Sequence, residues 1–173
     1  MKLKLILLLP LLGASCANQP SCNTLAREMI RPGVEPECFQ IKTNDAEMAS
    51  TVKQARKTVK VFIAALEHPT RNQRDFQVKK PFVRDGVVEH LWLSNVTFGG
   101  GRFHGNVDNK PKDITGVKMG DRVSVNPNEI SDWAFVDNGM LMGGRTIKVL
   151  FNNLSPDRKQ DFLKQADFRI TNP

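Results

Sequence analysis

Asp85-Gly86 stands between two runs that alternate apolar and polar residues, "RDFQVKKPFVR" and "VVEHLWLSNV". Aspartate followed by glycine suits the two positive-φ positions of a tight two-residue turn, so this dipeptide is a strong hairpin signal. A two-residue loop there fixes every pair: Arg84 faces Val87, Val83 faces Val88, Phe82 faces Glu89, Pro81 faces His90, Lys80 faces Leu91, Lys79 faces Trp92 and Val78 faces Leu93. Successive strand side chains point to opposite faces. Phe76, Val78, Phe82, Leu91 and Leu93 then share the better core face. Glu89 points to that side, near Lys80 and Arg84. Lys79, His90 and Trp92 share the other face. A one-residue change of register would exchange the two sets.

Before the hairpin, "NDAEMASTVKQARKTVKVFIAALEHP" carries Met48, Val52, Ala55, Val59, Phe62, Ile63 and Leu66 at helical spacing. The pattern predicts one amphipathic helix of about 22 residues, stopped by Pro69. Asn44 and Glu47 form a capping-box arrangement at its start. Lys53, Arg56, Lys57 and Lys60 make a cationic face, either solvated or turned to lipid head groups or an acidic partner.

After the hairpin, "FGGGRFHGNVDNKP" predicts a glycine turn or bulge, a short strand over 102–107, and a loop to Pro111. "GDRVSVNP" predicts a strand opened by Gly120-Asp121. "ISDWAFVDNGMLMGG" predicts a second hairpin turning at Asn138-Gly139. Ile147, Leu150, Phe151 and Leu154 predict a helix starting near Gly144. Ser155 followed by Pro156 predicts another helix start. The expected fold is a single α+β domain over 44–173. It has a long helix, a curved antiparallel sheet of about five or six strands, open or closed into a small barrel, and two short helices.

The N-terminus, "MKLKLILLLPLLGASCANQ", has the anatomy of a secretory signal peptide over 1–15. Lys2 and Lys4 form a basic region, and the apolar run Leu5 to Leu12 is far shorter than the roughly 20 residues that span a bilayer. Gly13-Ala14-Ser15-Cys16 resembles the lipobox of bacterial lipoproteins, although Gly13 stands where an aliphatic residue is usual. Ordinary cleavage after Ala17 is the alternative. The resemblance implies lipidation at Cys16 and an outer-membrane protein facing the periplasm, because no aspartate follows the cysteine. Residues 16–43, with Pro20, Pro32 and Pro36, read as a tether. With Cys16 lipidated, Cys22 and Cys38 remain as a pair in an oxidising compartment, expected either as a disulfide or as free thiols.

The chain's net charge is +7, and loss of Lys2 and Lys4 leaves +5. An exported protein meets little nucleic acid. The expected partners are therefore the membrane, through the anchor, and an acidic or polymeric envelope component; the charge otherwise serves solubility.

Six stretches in this order, "FQVKKPF", "EHLWL", "FHGNVDNKP", "GDRVSV", "ISDW" and "GGRTIKVL", resemble the bacterial domain of unknown function 2314, the YegJ-like family, over roughly residues 44–165. The resemblance implies a fold and a set of positions: Lys79, Glu89, His90, Trp92, Gly105, Asn109, Pro111, Gly120, Asp132, Trp133, Gly144 and Thr146. It implies no mechanism, because the family has no established activity.

Several groupings could carry chemistry. Glu89, His90 and Asp132 would serve a hydrolase, but adjacent strand residues point apart, so Glu89 and His90 need a bulge to share a ligand or substrate. The alternative roles are structural: Asp132 caps or anchors the turn before Trp133, and Glu89 pairs with Lys80 or Arg84. Ser131 and Thr146 are possible nucleophiles with nothing in the sequence to activate them. No metal-ligand spacing and no cofactor motif appears. "GGRT" before a helix could hold an anion at free N–H groups, or merely start the helix. Lys79, His90 and Trp92 form the most suggestive binding face, supplemented by Asn109, Trp133, Gly144 and Thr146, unless the N-terminal helix packs over Trp92 and buries that face. The expected function is a lipid-anchored, non-catalytic envelope binding module. An envelope hydrolase and an immunity-like inhibitor of a toxin are the alternatives.

Overall fold

In the computed structural model, residues 45–171 are described. The leader, the cysteines at 16, 22 and 38, the tether and the Asn44 cap lie outside them. Two helices come first, α1 (Asp45–Lys57) and α2 (Val59–Glu67). The single long helix expected from the periodicity is therefore broken at Thr58, whose φ is −105° and ψ 7°. The Thr58 hydroxyl donates to the carbonyls of Gln54 at 2.9 Å and Ala55 at 3.3 Å. This side-chain competition for backbone acceptors bends helices.

Six strands follow: β1 (Gln73–Arg84), β2 (Val87–Gly99), β3 (Arg102–Val107), β4 (Arg122–Val125), β5 (Asp132–Asp137) and β6 (Met140–Gly143). They form one antiparallel sheet in the order β4-β3-β2-β1-β5-β6. β4 and β6 are its two edges, so the sheet stays open and the barrel alternative is set aside. The β1–β2 register is the expected one at all seven pairs, from Arg84↔Val87 to Val78↔Leu93. The triple glycine makes a two-residue turn, with Gly99 paired to Arg102 and positive φ at Gly100 and Gly101. Register shifts between Arg74 and Gln77 and between Ser94 and Thr97 each contain a positive-φ residue, Asp75 and Asn95. Such bulges bend and twist a sheet.

Helices α3 (Arg145–Asn152) and α4 (Pro156–Gln165) close the domain, starting where Gly144 and Ser155-Pro156 predict. Their position changes the picture of the core. Trp92 and Leu93 are neighbours in β2 with opposite directions, and both are fully buried. The sheet is thus covered on both faces. On the first face, Ala55, Val59 and Phe62 of α1–α2 pack on Val78, Leu93, Phe103 and Trp133. Phe62 is the hub, with ring centroids 5.6 Å from Phe103 and from Trp133 and 5.8 Å from Phe76. On the second face, Trp92, Ala134, Val136 and Leu141 pack under Ile147 and Phe151 of α3 and Phe162 of α4. Burying each large apolar side chain contributes roughly 1.5–3 kcal/mol, so two cores explain how a modest domain holds a six-stranded sheet.

Candidate functional site

Three neighbouring strands bring Trp92, Lys79 and Asp132 side by side on the second face, through the pairs Lys79↔Trp92 and Lys79↔Asp132. α3 lies over them. Asp132 is fully buried. Its Oδ2 accepts the Thr146 amide at 2.7 Å and the Thr146 hydroxyl at 2.8 Å, and its Oδ1 accepts the Trp133 amide at 2.8 Å. Lys79 Nζ donates to Thr146 Oγ1 at 3.4 Å and stands 5.3 Å from the centre of the Trp92 ring. Burial raises the Asp132 carboxyl above its ordinary value, against the pull of the Thr146 bonds and the Lys79 charge.

The helix start that could hold an external anion is therefore occupied by an internal one. The Asp132 carboxylate sits at the first turn of α3, where amide N–H groups and the helix dipole favour negative charge. Gly143 makes this approach possible. Its φ is +66°, and a Cβ there would lie 2.2 Å from the Trp133 carbonyl oxygen. The next amide, Gly144 N–H, donates to that same oxygen at 2.8 Å. Arg145, which could have helped hold an anion, places its guanidinium 5.3 Å from the centre of the Trp133 ring. Lys148 is lowered from its ordinary value by burial and by the neighbouring Arg145 charge, partly offset by Asp132.

The expected open face of Lys79, His90 and Trp92 is thus closed at two of its three members. Trp92 and Lys79 are buried under the C-terminal helices. The covering element is α3–α4, whereas α1–α2 occupies the opposite face. Trp133, Gly144 and Thr146 are buried as well. Trp133 Nε1–H donates to the Ala55 carbonyl at 3.0 Å, tying β5 to α1. Asn109 Oδ1 accepts the Trp92 amide at 2.8 Å, so it extends the sheet where β3 has ended.

Glu89 and His90 diverge, as the register requires. The Glu89 carboxylate accepts the amides of Lys112 (2.9 Å), Asp113 (3.0 Å) and Ile114 (3.0 Å). Burial alone would raise its pKa, but these three amides and the Lys112 charge bring it below the usual carboxylate range. The expected partners Lys80 and Arg84 are engaged elsewhere. Lys80 Nζ donates to the Pro81 carbonyl and lies 4.2 Å from the centre of the Phe82 ring, while Arg84 donates to the Thr115 carbonyl at 2.9 Å. Glu89 and Arg84 together pin the 110–116 loop along the hairpin, which buries Ile114. No periodicity in that loop announces this role.

His90 Nδ1 lies 2.6 Å from Ser131 Oγ, a contact that spans 41 residues of chain and has no local signature. Ser131 is 1 % exposed and its amide donates to the Lys79 carbonyl. Among the remaining positions, Gly105 is in β3, where a Cβ would stand 2.9 Å from the Ser94 carbonyl oxygen at the β2 bulge. Pro111 and Gly120 lie in the 108–121 loop. Among the described residues no cluster of three or more His, Cys, Asp or Glu is placed to hold a metal ion, and no helix is long and apolar enough to cross a membrane.

Beyond Lys79 and Leu93, β1 and β2 continue without strand partners on either side, as a two-stranded arm. Its end carries Val83, Val87 and Val88, exposed to 70 %, 41 % and 54 %. Pro81 has no N–H to offer a further strand, and its carbonyl is already taken by Lys80, features that blunt a sheet edge.

The six stretches that resemble a family keep their order along this sheet and its C-terminal helix. The family model described as an uncharacterized protein conserved in bacteria, DUF2314, matches residues 45–169. The chain belongs to this family. Its DUF2314 domain thus includes α1 to α4 and every side chain of the candidate site. The chain is 35 % identical over 106 residues to the uncharacterized protein YegJ of Escherichia coli K12, covering 60 % of this chain and 66 % of that one. It is 32 % identical over 131 residues to a putative ankyrin repeat protein of Neisseria meningitidis serogroup B, covering 71 % of this chain and 52 % of that one. The chain thus spans about half to two thirds of the length of these relatives. No solved structure matches it.

Proposed function

We propose that this chain is an exported, lipid-anchored envelope protein whose DUF2314 domain is a non-catalytic binding module, contacting an envelope protein or polymer through the β1–β2 arm. The leader and Cys16 support the anchored location. The exposure of Val83, Val87 and Val88 together at the end of the arm carries the binding reading. Clustered apolar side chains left in water at one projecting point mark contact sites more often than scattered ones do. The acids and the buried lysine support the same reading, because each is engaged inside the domain: Glu89 by the loop amides, Asp132 by α3, Lys79 by Thr146.

The test compares envelope partners crosslinked to the intact chain and to a Val83→Ser, Val88→Ser variant. Both sites are exposed, so the fold tolerates the change. Loss of one defined partner from the variant, with the circular dichroism unchanged, is the expected result. Equal recovery from both chains overturns it.

A second reading, an envelope hydrolase, is favoured by one observation, the 2.6 Å contact of His90 with Ser131. A histidine that close can act as general base to a serine. Against it, Ser131 is 1 % exposed. Covalent labelling of Ser131 by a fluorophosphonate, abolished in His90→Ala, would establish it; an unlabelled chain excludes it.

A further inference from the structure

We propose that the cationic face of α1 and α2 lies against an anionic phospholipid surface. This rests on the anchored reading above, which delivers the domain to a membrane through a tether ending where α1 begins. Ala55, Val59 and Phe62 are buried against the sheet, and Thr51 is buried as well. Lys53, Lys57, Val61 and Ala64, at helical spacing on the opposite side, are all exposed. Lys60 is exposed beside them, and so is Arg56, whose guanidinium is held by the Ile130 carbonyl at 2.8 Å. Between Glu47 and Glu67 neither helix carries an acidic residue. The stripe is therefore three lysines, Lys53, Lys57 and Lys60, with no acidic residue between them, arranged around Val61, which is 56 % exposed, while Arg56 is held back at its flank.

That pattern fits a bilayer surface, where each cation gains from the anionic head groups and one apolar side chain reaches the acyl boundary. A second copy of the chain is a poor occupant, since two such stripes repel. Membrane docking of this face also leaves the arm, on β1 and β2, available to a partner.

The experiment places a reporter at Val61. Trp92 and Trp133 are 1 % and 3 % exposed, so their emission is insensitive to the bilayer. The full chain carrying Val61→Trp is reconstituted with vesicles of equal parts phosphatidylethanolamine and phosphatidylglycerol, or of phosphatidylcholine alone, each with acyl-brominated tracer. The proposal expects a blue-shifted, quenched emission in the anionic vesicles only. It expects several-fold less quenching when salt shortens the Debye length to about 3 Å, and loss of quenching in Lys53→Glu, Lys57→Glu, Lys60→Glu. A Val88→Trp reporter on the arm stays unquenched.

Equal quenching in both vesicle types, no quenching in the anionic ones, or quenching at Val88 as strong as at Val61 overturns the proposal. A blue shift without quenching means that protein covers the stripe, and overturns it too. Intact mass reports the lipid on Cys16 separately. A chain without that lipid refutes the anchored reading, while quenching on its addition to vesicles still decides the stripe.

Discussion

Asp132 Oδ2 accepts both the amide and the hydroxyl of Thr146, at 2.7 and 2.8 Å, inside a fully buried site. One carboxylate oxygen therefore holds the first turn of α3 against β5. Removing the whole side chain leaves the Thr146 amide and hydroxyl and the Trp133 amide without their acceptor, and takes the carboxylate away from the nearby Lys79 charge. Asp132→Ala is expected to destabilise the domain by about 3–5 kcal/mol, the range for breaking a buried charged partnership. Thr146→Val, which deletes only the hydroxyl bond, is expected to cost about 1–2 kcal/mol. Urea unfolding followed by tryptophan fluorescence measures both. Equal costs would mean that the amide bond contributes nothing.

Glu89 makes stability sensitive to acid. Its folded pKa lies below the ordinary carboxylate range, so the unfolded chain binds the proton first. Its contribution is complete above the ordinary carboxylate range and is lost as pH falls through the lowered folded value. Glu89→Gln is expected to flatten this limb of the stability–pH curve. It should also raise hydrogen exchange at the amides of Lys112, Asp113 and Ile114. An unchanged acid limb in the variant would refute the assignment.

Gly143 has two reasons to be glycine, its φ of +66° and the 2.2 Å approach of a would-be Cβ to the Trp133 carbonyl. That oxygen is backbone held in β5 and cannot turn aside. Gly143→Ala is expected to cost at least about 2 kcal/mol, above the usual penalty for a forced positive φ. Thermal unfolding of Gly143→Ala beside Gly100→Ala separates crowding from backbone strain, since Gly100 shares a positive φ but meets nothing within 4 Å.

Phe62 touches Phe76, Phe103, Trp133 and Phe135. Phe62→Ala is expected to cost about 3–5 kcal/mol. Because Trp133 lies in its contact shell and Trp92 on the other face does not, the near-ultraviolet signal of Trp133 should change while that of Trp92 persists in the folded state. A uniform loss of both signals would contradict two separate cores.

The local rules carried the fold a long way. Asp85-Gly86 determines seven strand pairs because a two-residue turn has only one register, and Ser155-Pro156 marks a helix start by backbone chemistry alone. What was not legible depends on contacts between distant segments. Trp92 signals that its face wants cover, but nothing local distinguishes α3–α4 from α1–α2 as the covering layer. The periodicity over 48–66 runs through Thr58 without a flaw, so the break there is invisible to pattern. The loop at 112–114 offers three amides to Glu89, and amides belong to every sequence. The His90–Ser131 contact joins residues 41 apart, each unremarkable in its own setting.

The alternation of Trp92 and Leu93 between two cores has a kinetic consequence. Layers from opposite ends of the chain dock on opposite faces of one sheet, and that sheet is continuous from β2 to β5 only once β1 and β2 are in register. The β1–β2 turn then belongs to the folding nucleus. Gly86, with φ of +80°, is the residue to probe. Gly86→Ala should slow refolding while leaving the unfolding rate nearly unchanged, a φ-value near one. Changes at Phe162 of α4, at the C-terminal end of the second core, should act chiefly on the unfolding limb.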